Sequence, residues 1–249
     1  MPETMFMTLE ICVDRIESAR AAIAGGAGRL EVCGSLAEGG ITPGYGLISG
    51  CLALGSVEVV MMVRPHGGGF CCSADDLDAM LRDIGLAKQL GVRGVVLGAL
   101  RADGRIDIDH CRRLIDAARP LTVTFHRAFD VTPDPLEALE TLLDLQVDRL
   151  LTSGQSPSAS GGAEVIRRLV QRAGGALSVM AGGGIRAEGL ADLIRHTGVR
   201  EIHASASEVT AGEFCQAGGL VSSARITRRE TVRALAGVLA EFRGHDGVT

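Results

Sequence analysis

Two Glu-x-Cys motifs near the amino terminus carry the side chains in this sequence that are best suited to chemistry. Glu10 and Cys12 form the first motif, and Glu31 and Cys33 repeat the spacing. Side chains two residues apart in a β-strand point to the same face, so each pair projects together if these segments are strands. Carboxylates transfer protons or form buried ion pairs, and thiolates are nucleophiles and metal ligands. The motifs therefore indicate a site between two neighbouring strands.

Further polar residues occur at the ends of other apolar runs. Arg64 follows the third such run, His126 with Asp130 follows the fifth, and His203 lies in the eighth. Isolated buried charges are costly, so we expect Glu10, Glu31 and Arg64 to pair with one another. Two interpretations stay open: a structural ion-pair network, or the acid–base groups of an enzyme built from these residues. The five candidate catalytic residues are Glu10, Glu31, Arg64, His126 and Asp130.

A glycine-rich segment indicates an anion site. Gly182, Gly183 and Gly184 follow the seventh apolar run, and Ser205 follows the eighth. Barrel enzymes often hold a phosphate on backbone N–H groups in these two loops. Glycines also serve tight turns, so a purely structural role remains the alternative. The Pro65–Phe70 segment is a second flexible loop that could act as a lid or an anion contact.

These side chains need a scaffold that brings many strand ends together. Short β-rich runs alternate with helix-period segments along the whole chain. The predicted strands are residues 9–13, 29–33, 57–63, 94–97, 121–125, 149–152, 177–181 and 201–204. The predicted helices are residues 15–24, 45–54, 74–90, 107–118, 135–145, 163–173, 187–196 and 228–242. Eight strands, each followed by a helix, predict an α/β chain with one (β/α)8 TIM-barrel domain over residues 1–249.

Composition excludes several classes of function. The net charge of −5 and the aromatic content of 3% argue against a nucleic-acid-binding surface. No apolar run reaches the roughly 20 residues of a membrane helix, and the first residues lack signal-peptide character, so we expect a cytoplasmic protein. Lys88 is the sole lysine and falls in a predicted surface helix, which argues against Schiff-base and pyridoxal chemistry.

The cysteines divide into groups by position. Seven is an odd number in a chain long enough to fold without disulfides, so reduced thiols are expected. Cys51, Cys111 and Cys215 are expected to serve packing, whereas Cys71 and Cys72 fall in a strand-end loop accessible to a metal or an oxidant. The sequence lacks His-x-His on its first strand, Cys-x-x-Cys and Gly-x-x-x-x-Gly-Lys, so common metallohydrolase, zinc-ribbon and nucleotide-loop sites are unsupported.

Several motifs resemble those of the CutC family of copper-homeostasis proteins. The most specific is Thr-Phe-His-Arg-Ala-Phe-Asp at residues 124–130, and Glu-Gly-Gly-Ile-Thr-Pro at 38–43 is another. The other matching segments are residues 9–14, 29–33, 63–65, 151–155, 180–184 and 201–205. The resemblance weakens over roughly the last forty residues. It implies a cytoplasmic TIM barrel, a homo-oligomer (dimer or higher) and a role in copper handling.

The resemblance also implies a metal site. Copper(I) binding in the family is attributed to two strand-end cysteines that match Cys12 and Cys33, and two thiolates on neighbouring strands suit a soft d¹⁰ ion. One loop departs from the family pattern: where the family commonly has Arg-Pro-Arg-Gly-Gly-Asp-Phe followed by tyrosine, residues 64–72 read Arg-Pro-His-Gly-Gly-Gly-Phe-Cys-Cys. The lost arginine and aspartate weaken an anion-binding or acid–base role for this loop, but His66 and Cys72 are added. These two residues could add soft or borderline ligands.

Two alternatives to a copper-binding protein remain. The first is an enzyme that acts on a small anionic or phosphorylated substrate, with Arg64 and the Gly182–Gly184 loop binding the anion. His126 with Glu10 or Glu31 would then transfer protons. The second is a sensor that binds a metabolite without turnover. Neither alternative involves nucleic acid or a membrane.

Overall fold

The computed structural model describes residues 7–211 and 223–242, and its main body is a closed barrel of eight parallel strands. The strands are β1 (Thr8–Val13), β2 (Arg29–Val32), β3 (Glu58–Met62), β4 (Gly94–Leu97), β5 (Thr122–Phe125), β6 (Arg149–Thr152), β7 (Ser178–Gly182) and β8 (Glu201–Ala204). The helices are α1 (Ile16–Gly25), α2 (Tyr45–Leu52), α3 (Ala74–Leu90), α4 (Ile108–Ala118), α5 (Pro135–Asp144), α6 (Ala163–Ala173), α7 (Leu190–Thr197) and α8 (Arg229–Ala240). The predicted (β/α)8 TIM barrel is confirmed.

Local sequence signals account for where several helices begin and end. Ser73 caps α3: its hydroxyl accepts from the Asp76 N–H, and the Asp76 carboxylate accepts in return from the Ser73 N–H. Asp134 caps α5 by accepting from two backbone N–H groups of the first turn. Gly91 ends α3 with a φ of 76°, a conformation that glycine adopts without strain. Ser73 and Asp134 therefore mark where the loops after β3 and β5 end, and Gly91 marks where α3 ends.

Strand alternation separates two apolar layers. Leu9, Ile11 and Val13 of β1 belong to the large core between the strands and the helices. Cys12 and Cys33 instead belong to a smaller cluster inside the barrel, which also contains Val60, Met62 and Val96. Both Glu-x-Cys motifs therefore point inward, as the alternation predicts.

A charged layer fills the barrel below the cysteines. Arg29 of β2 bonds the carboxylates of Glu10 and Glu201 at once. Arg149 of β6 also bonds Glu201, with its Nε 2.7 Å from Oε2. Glu10 is fully buried and Arg29 is 3% exposed. Alternating charges compensate one another here, which permits an interior less apolar than that of most barrels.

The expected pairing of Arg64 with Glu10 and Glu31 is wrong. Arg64 lies two residues beyond the end of β3, and its guanidinium donates to the carbonyl oxygens of Glu38, Gly40 and Gly68 at 2.8–3.0 Å. A residue past the last strand position is no longer held to the inward face by strand alternation. Arg29, two positions before Glu31 on the same face of β2, is the cation that pairs with Glu10.

A two-stranded antiparallel β-hairpin follows the eighth strand of the barrel. Strand β9 (Ser207–Ala211) pairs in antiparallel register with β10 (Ser223–Thr227). The hairpin is held to the barrel by the Thr227 N–H, which donates to the Ser18 hydroxyl of α1 at 3.2 Å. Within the two described ranges, no helix combines the length and apolar character needed to cross a membrane.

Candidate functional site

Three buried side chains form a candidate metal-binding cluster at the carboxyl end of the barrel. One ligand atom each from Cys12, Glu31 and His203 lies within 4.8 Å of the other two. Strand register explains the cluster, because Cys12 of β1 is level with Glu31 of β2, and Glu10 of β1 is level with His203 of β8. In the described ranges, this is the one group of three or more His, Cys, Asp or Glu side chains with metal-ligand spacing.

Glu10 holds the imidazole of His203 in a fixed orientation. His203 Nδ1 lies 2.8 Å from Glu10 Oε1, while Nε2 faces Glu31 Oε2 at 3.9 Å. Burial alone would raise the pKa of Glu10, but Arg29 and His203 outweigh it and lower that pKa to about 2. Burial alone would also lower the pKa of His203, but the facing Glu31, Cys12 and Glu10 raise it well above its usual value. Because Glu10 engages Nδ1, a metal ion can bind this imidazole only at Nε2, where it displaces a proton.

Glu31 retains an unused acceptor in this cluster. Its Oε2 accepts from the Cys33 thiol at 3.3 Å. Its Oε1 is buried and has no hydrogen-bond partner among the described residues. Burial raises the pKa of Glu31, with His203 opposing the shift. This carboxylate oxygen is therefore free to bond an ion placed beside the thiol and the imidazole.

Cys33 lies next to the cluster, outside the group formed by Cys12, Glu31 and His203. The register places Glu31, not Cys33, opposite Cys12, and the Cys33 thiol contacts the cluster through Glu31. Cys33 is fully buried, and burial together with the Glu31 charge raises its pKa well above the usual value. Gly40 covers it with a φ of 86°, where an added Cβ would lie 3.2 Å from the sulfur. Glycine at position 40 therefore permits this close packing.

His126 and Arg64 form a second group, in which both side chains contact Phe70. The His126 and Phe70 ring centroids are 5.2 Å apart, and the Arg64 guanidinium carbon lies 5.0 Å from the Phe70 centroid. His126 Nδ1 accepts from the Ala128 N–H, so Nε2 carries the ring proton. Burial and then the Arg64 cation lower the pKa of His126 to about 4. No described residue bonds His126 Nε2 or Arg64 Nε, although both atoms are buried.

Asp130 braces a loop instead of joining either group. Its carboxylate accepts from the backbone N–H and the hydroxyl of Ser153, from the Thr152 hydroxyl and from the Gln155 N–H. Arg127 closes the arrangement with its Nε 2.7 Å from Asp130 Oδ2. Asp130 therefore fixes the loop after β6, and the expected convergence with Glu10 and Glu31 is not observed.

The glycine-rich segment after β7 packs closely against its neighbours. Gly183 has a φ of 101°, and an added Cβ would lie 3.1 Å from Ser153 Cβ and 3.3 Å from an Arg127 nitrogen. At Gly182 an added Cβ would lie 2.6 Å from a Leu151 methyl carbon. Ser205 accepts a hydrogen bond from the Ser207 hydroxyl at 3.1 Å. Close approach of the backbone explains these glycines, and the anion site stays a prediction.

The remaining cysteines follow their predicted grouping where they are described. Cys51 and Cys111 are buried, Cys71 is exposed and Cys72 is intermediate, and all are free thiols. Cys215 lies outside the described residues. The Lys88 ammonium donates to the carbonyl oxygens of Ala117 and Arg119 on the outer helical layer.

The donors of the Cys12 cluster suit a metal ion. A thiol, an imidazole with its second nitrogen held by a carboxylate, and a carboxylate with one unpartnered oxygen provide nitrogen, sulfur and oxygen ligands. Sulfur and imidazole favour soft or borderline ions. The same three groups also form a carboxylate–imidazole–thiol series, which could transfer protons to a bound molecule.

Comparison with known proteins identifies the family. A family model described as the CutC family matches residues 7–208. The chain belongs to the CutC family. A family protein CutC of Histophilus somni is 48% identical over 200 residues, which cover 80% of this chain and 82% of that protein. The human copper homeostasis protein cutC homolog is 46% identical over 198 residues, which cover 80% of this chain and 72% of the human protein.

A solved CutC structure shares the barrel. The crystal structure of a CutC protein from Streptococcus agalactiae matches with a TM-score of 0.76 at 31% identity, and the match covers 80% of this chain and 99% of that chain. The CutC family model ends at residue 208, so β10 and α8 lie beyond the matched span. The Cys12, Glu31 and His203 cluster lies entirely within it.

Proposed function

We propose that this protein binds Cu(I) at the carboxyl end of its barrel and serves copper homeostasis in the cytoplasm. The observation that carries the proposal is the close group formed by Cys12, Glu31 and His203, with Glu10 bonded to the second nitrogen of His203. Cys12 supplies a thiolate and His203 supplies Nε2. Relatives named for copper homeostasis support copper as the ion.

Cys33 supplies a second thiolate in this proposal. Its sulfur lies 3.3 Å from Glu31 Oε2, on the carboxylate that borders Cys12. A cation near Glu31 competes for that carboxylate and frees the Cys33 sulfur to turn toward the ion. Two thiolates and an imidazole form a donor set that selects Cu(I) over hard cations such as Mg²⁺.

Competition with a Cu(I) chelator under anaerobic conditions tests the proposal. We expect Cys12→Ser to remove one equivalent of tightly bound Cu(I), and Cys33→Ser to weaken that equivalent at least tenfold. Cys51→Ser is the matched control, because Cys51 is a buried thiol in α2 on the outer side of the barrel wall. Wild-type stoichiometry and affinity in both Cys12→Ser and Cys33→Ser would contradict the proposal.

A second candidate function is acid–base chemistry on a small anion near Phe70. One observation favours it: Arg64 Nε and His126 Nε2 are buried hydrogen-bond donors, and no residue that the structure describes accepts from them. Such donors are expensive to bury unless a ligand satisfies them. We expect inorganic phosphate or a small phosphorylated or carboxylated metabolite to raise the melting temperature, and Arg64→Met to abolish the increase. No increase with any anion of such a panel would contradict this candidate.

A further inference from the structure

A second sulfur-rich site lies in the loop between β3 and α3, outside the barrel interior. A cavity of about 10 Å³ opens there, and its lining includes Phe70, Cys71, Cys72 and Met80. That volume is close to the space occupied by one water molecule. The cavity therefore has room for a single ion.

Two sulfur atoms face each other in this cavity. Cys72 Sγ lies 3.9 Å from Met80 Sδ. Met80 belongs to α3 and is 1% exposed, so its thioether is held in place by packing, whereas Cys72 is partly accessible. With metal–sulfur bonds of about 2.3 Å, one ion bonds both atoms at this separation without a change of backbone.

The rim of the cavity offers further donors. Cys71 is exposed beside Cys72, and His66 belongs to the same lining. His66 Nε2 lies 3.4 Å from Asp76 Oδ1 and Nδ1 lies 2.7 Å from the Gly67 carbonyl oxygen, so a metal ion that binds this ring displaces one of these partners. Arg64 contributes positive charge here, but three loop carbonyl oxygens occupy its terminal nitrogens. A monovalent cation is repelled by this charge less than a divalent one.

We infer that this loop holds a second metal site, formed by the Cys72 thiolate and the Met80 thioether, and that its ion is Cu(I). Cys71 or His66 completes the coordination from the rim. A thioether is a soft donor that suits Cu(I) and binds Zn²⁺ poorly, so the presence of Met80 decides between these two ions. Binding forms a copper–sulfur bond at Cys72 and releases the thiol proton to solvent, with no change in oxidation state.

Four proteins separate this site from the barrel site: the wild type, Cys12→Ser, Cys72→Ser and the double variant. We expect anaerobic Cu(I) titration against a competing chelator to give two equivalents for the wild type. One equivalent should remain in each single variant, and none should remain in the double variant. Cys51→Ser again serves as the control. The loop site is tested by whether Cys72→Ser loses one equivalent of bound Cu(I) relative to the wild type. That comparison does not depend on whether Cys12 binds copper.

A second variant tests the thioether. Met80→Leu nearly preserves side-chain volume, and such exchanges are usually tolerated in a core. We expect Met80→Leu to weaken the loop equivalent at least tenfold for Cu(I) and to leave Zn²⁺ binding unchanged. Copper X-ray absorption of Cys12→Ser should then show one sulfur ligand fewer with Met80→Leu than with the wild-type loop. Wild-type Cu(I) binding in either Cys72→Ser or Met80→Leu would overturn the inference.

Discussion

His203 Nδ1 lies 2.8 Å from Glu10 Oε1, across the seam where β8 and β1 close the barrel. Arg29 and the charged layer below hold Glu10 in place, so the imidazole can present only Nε2 toward Cys12 and Glu31. The closure of the barrel thus places a residue near the amino terminus and one near residue 200 in a single site. This relationship connects the ion-pair layer to the proposed metal centre.

The Glu10–His203 bond gives the first prediction. We expect Glu10→Gln to lower the Cu(I) affinity of the barrel site about 10- to 100-fold, the usual effect of losing a group that orients a ligand. Chelator competition measures the change. Glu201→Gln is the matched control, because Glu201 also pairs with Arg29 but does not contact His203. Equal losses of affinity in both variants would show that Glu10 acts only through stability.

His126 predicts how stability depends on pH. Its pKa is about 4 in the folded protein, against the usual 6.5 of an unburied histidine, so the unfolded chain binds more protons between these pH values. The stability from neutral His126 is complete above pH 6.5 and is lost as pH falls toward 4, by about 3 kcal/mol.

His126→Asn tests this prediction, because asparagine keeps an acceptor for the Ala128 N–H but does not titrate in this range. Urea unfolding at several pH values measures the free energy of unfolding. We expect a flatter pH profile in the variant between pH 4 and 6.5. Identical slopes in both proteins would contradict the assignment of a neutral, buried imidazole.

Asp130 predicts the behaviour of the loop after β6. Asp130→Ala leaves the Ser153 and Gln155 N–H groups and the Thr152 hydroxyl without their acceptor, so we expect a loss of about 3 kcal/mol in the free energy of unfolding. Hydrogen exchange should accelerate in residues 153–162. Asp103→Ala is the control, since Asp103 is an exposed partner of Arg105 and should cost less than about 0.5 kcal/mol. A similar small cost for Asp130→Ala would contradict the bracing role.

Alternation within a strand made much of the site predictable. The inward position of Cys12 and Cys33 follows from the apolar positions between them, which must face the helices. Arg29 shares the face of Glu31 and could have been found by extending the same argument two residues back. Arg64 was misplaced because it lies past the end of β3, where no alternation applies.

Register between strands was harder to predict. Alternation states which face a side chain takes but not its level along the barrel axis. The two Glu-x-Cys motifs look equivalent in sequence, yet β2 is shifted so that Glu31 stands level with Cys12. That shift replaces an expected pair of neighbouring thiols with a thiol, a carboxylate and the imidazole of His203. The distant closure between β8 and β1 has no local sequence signal.

Anomalous diffraction at the copper edge, from crystals loaded anaerobically with Cu(I), shows directly whether the barrel site holds copper. We expect an anomalous peak bonded to Cys12 Sγ and His203 Nε2, with Cys33 turned toward the ion and the Glu10–His203 bond retained. The same peak should vanish in Cys12→Ser crystals. Loaded crystals with no copper beside Cys12 and His203, or a peak there that persists in Cys12→Ser, would contradict the proposed barrel site.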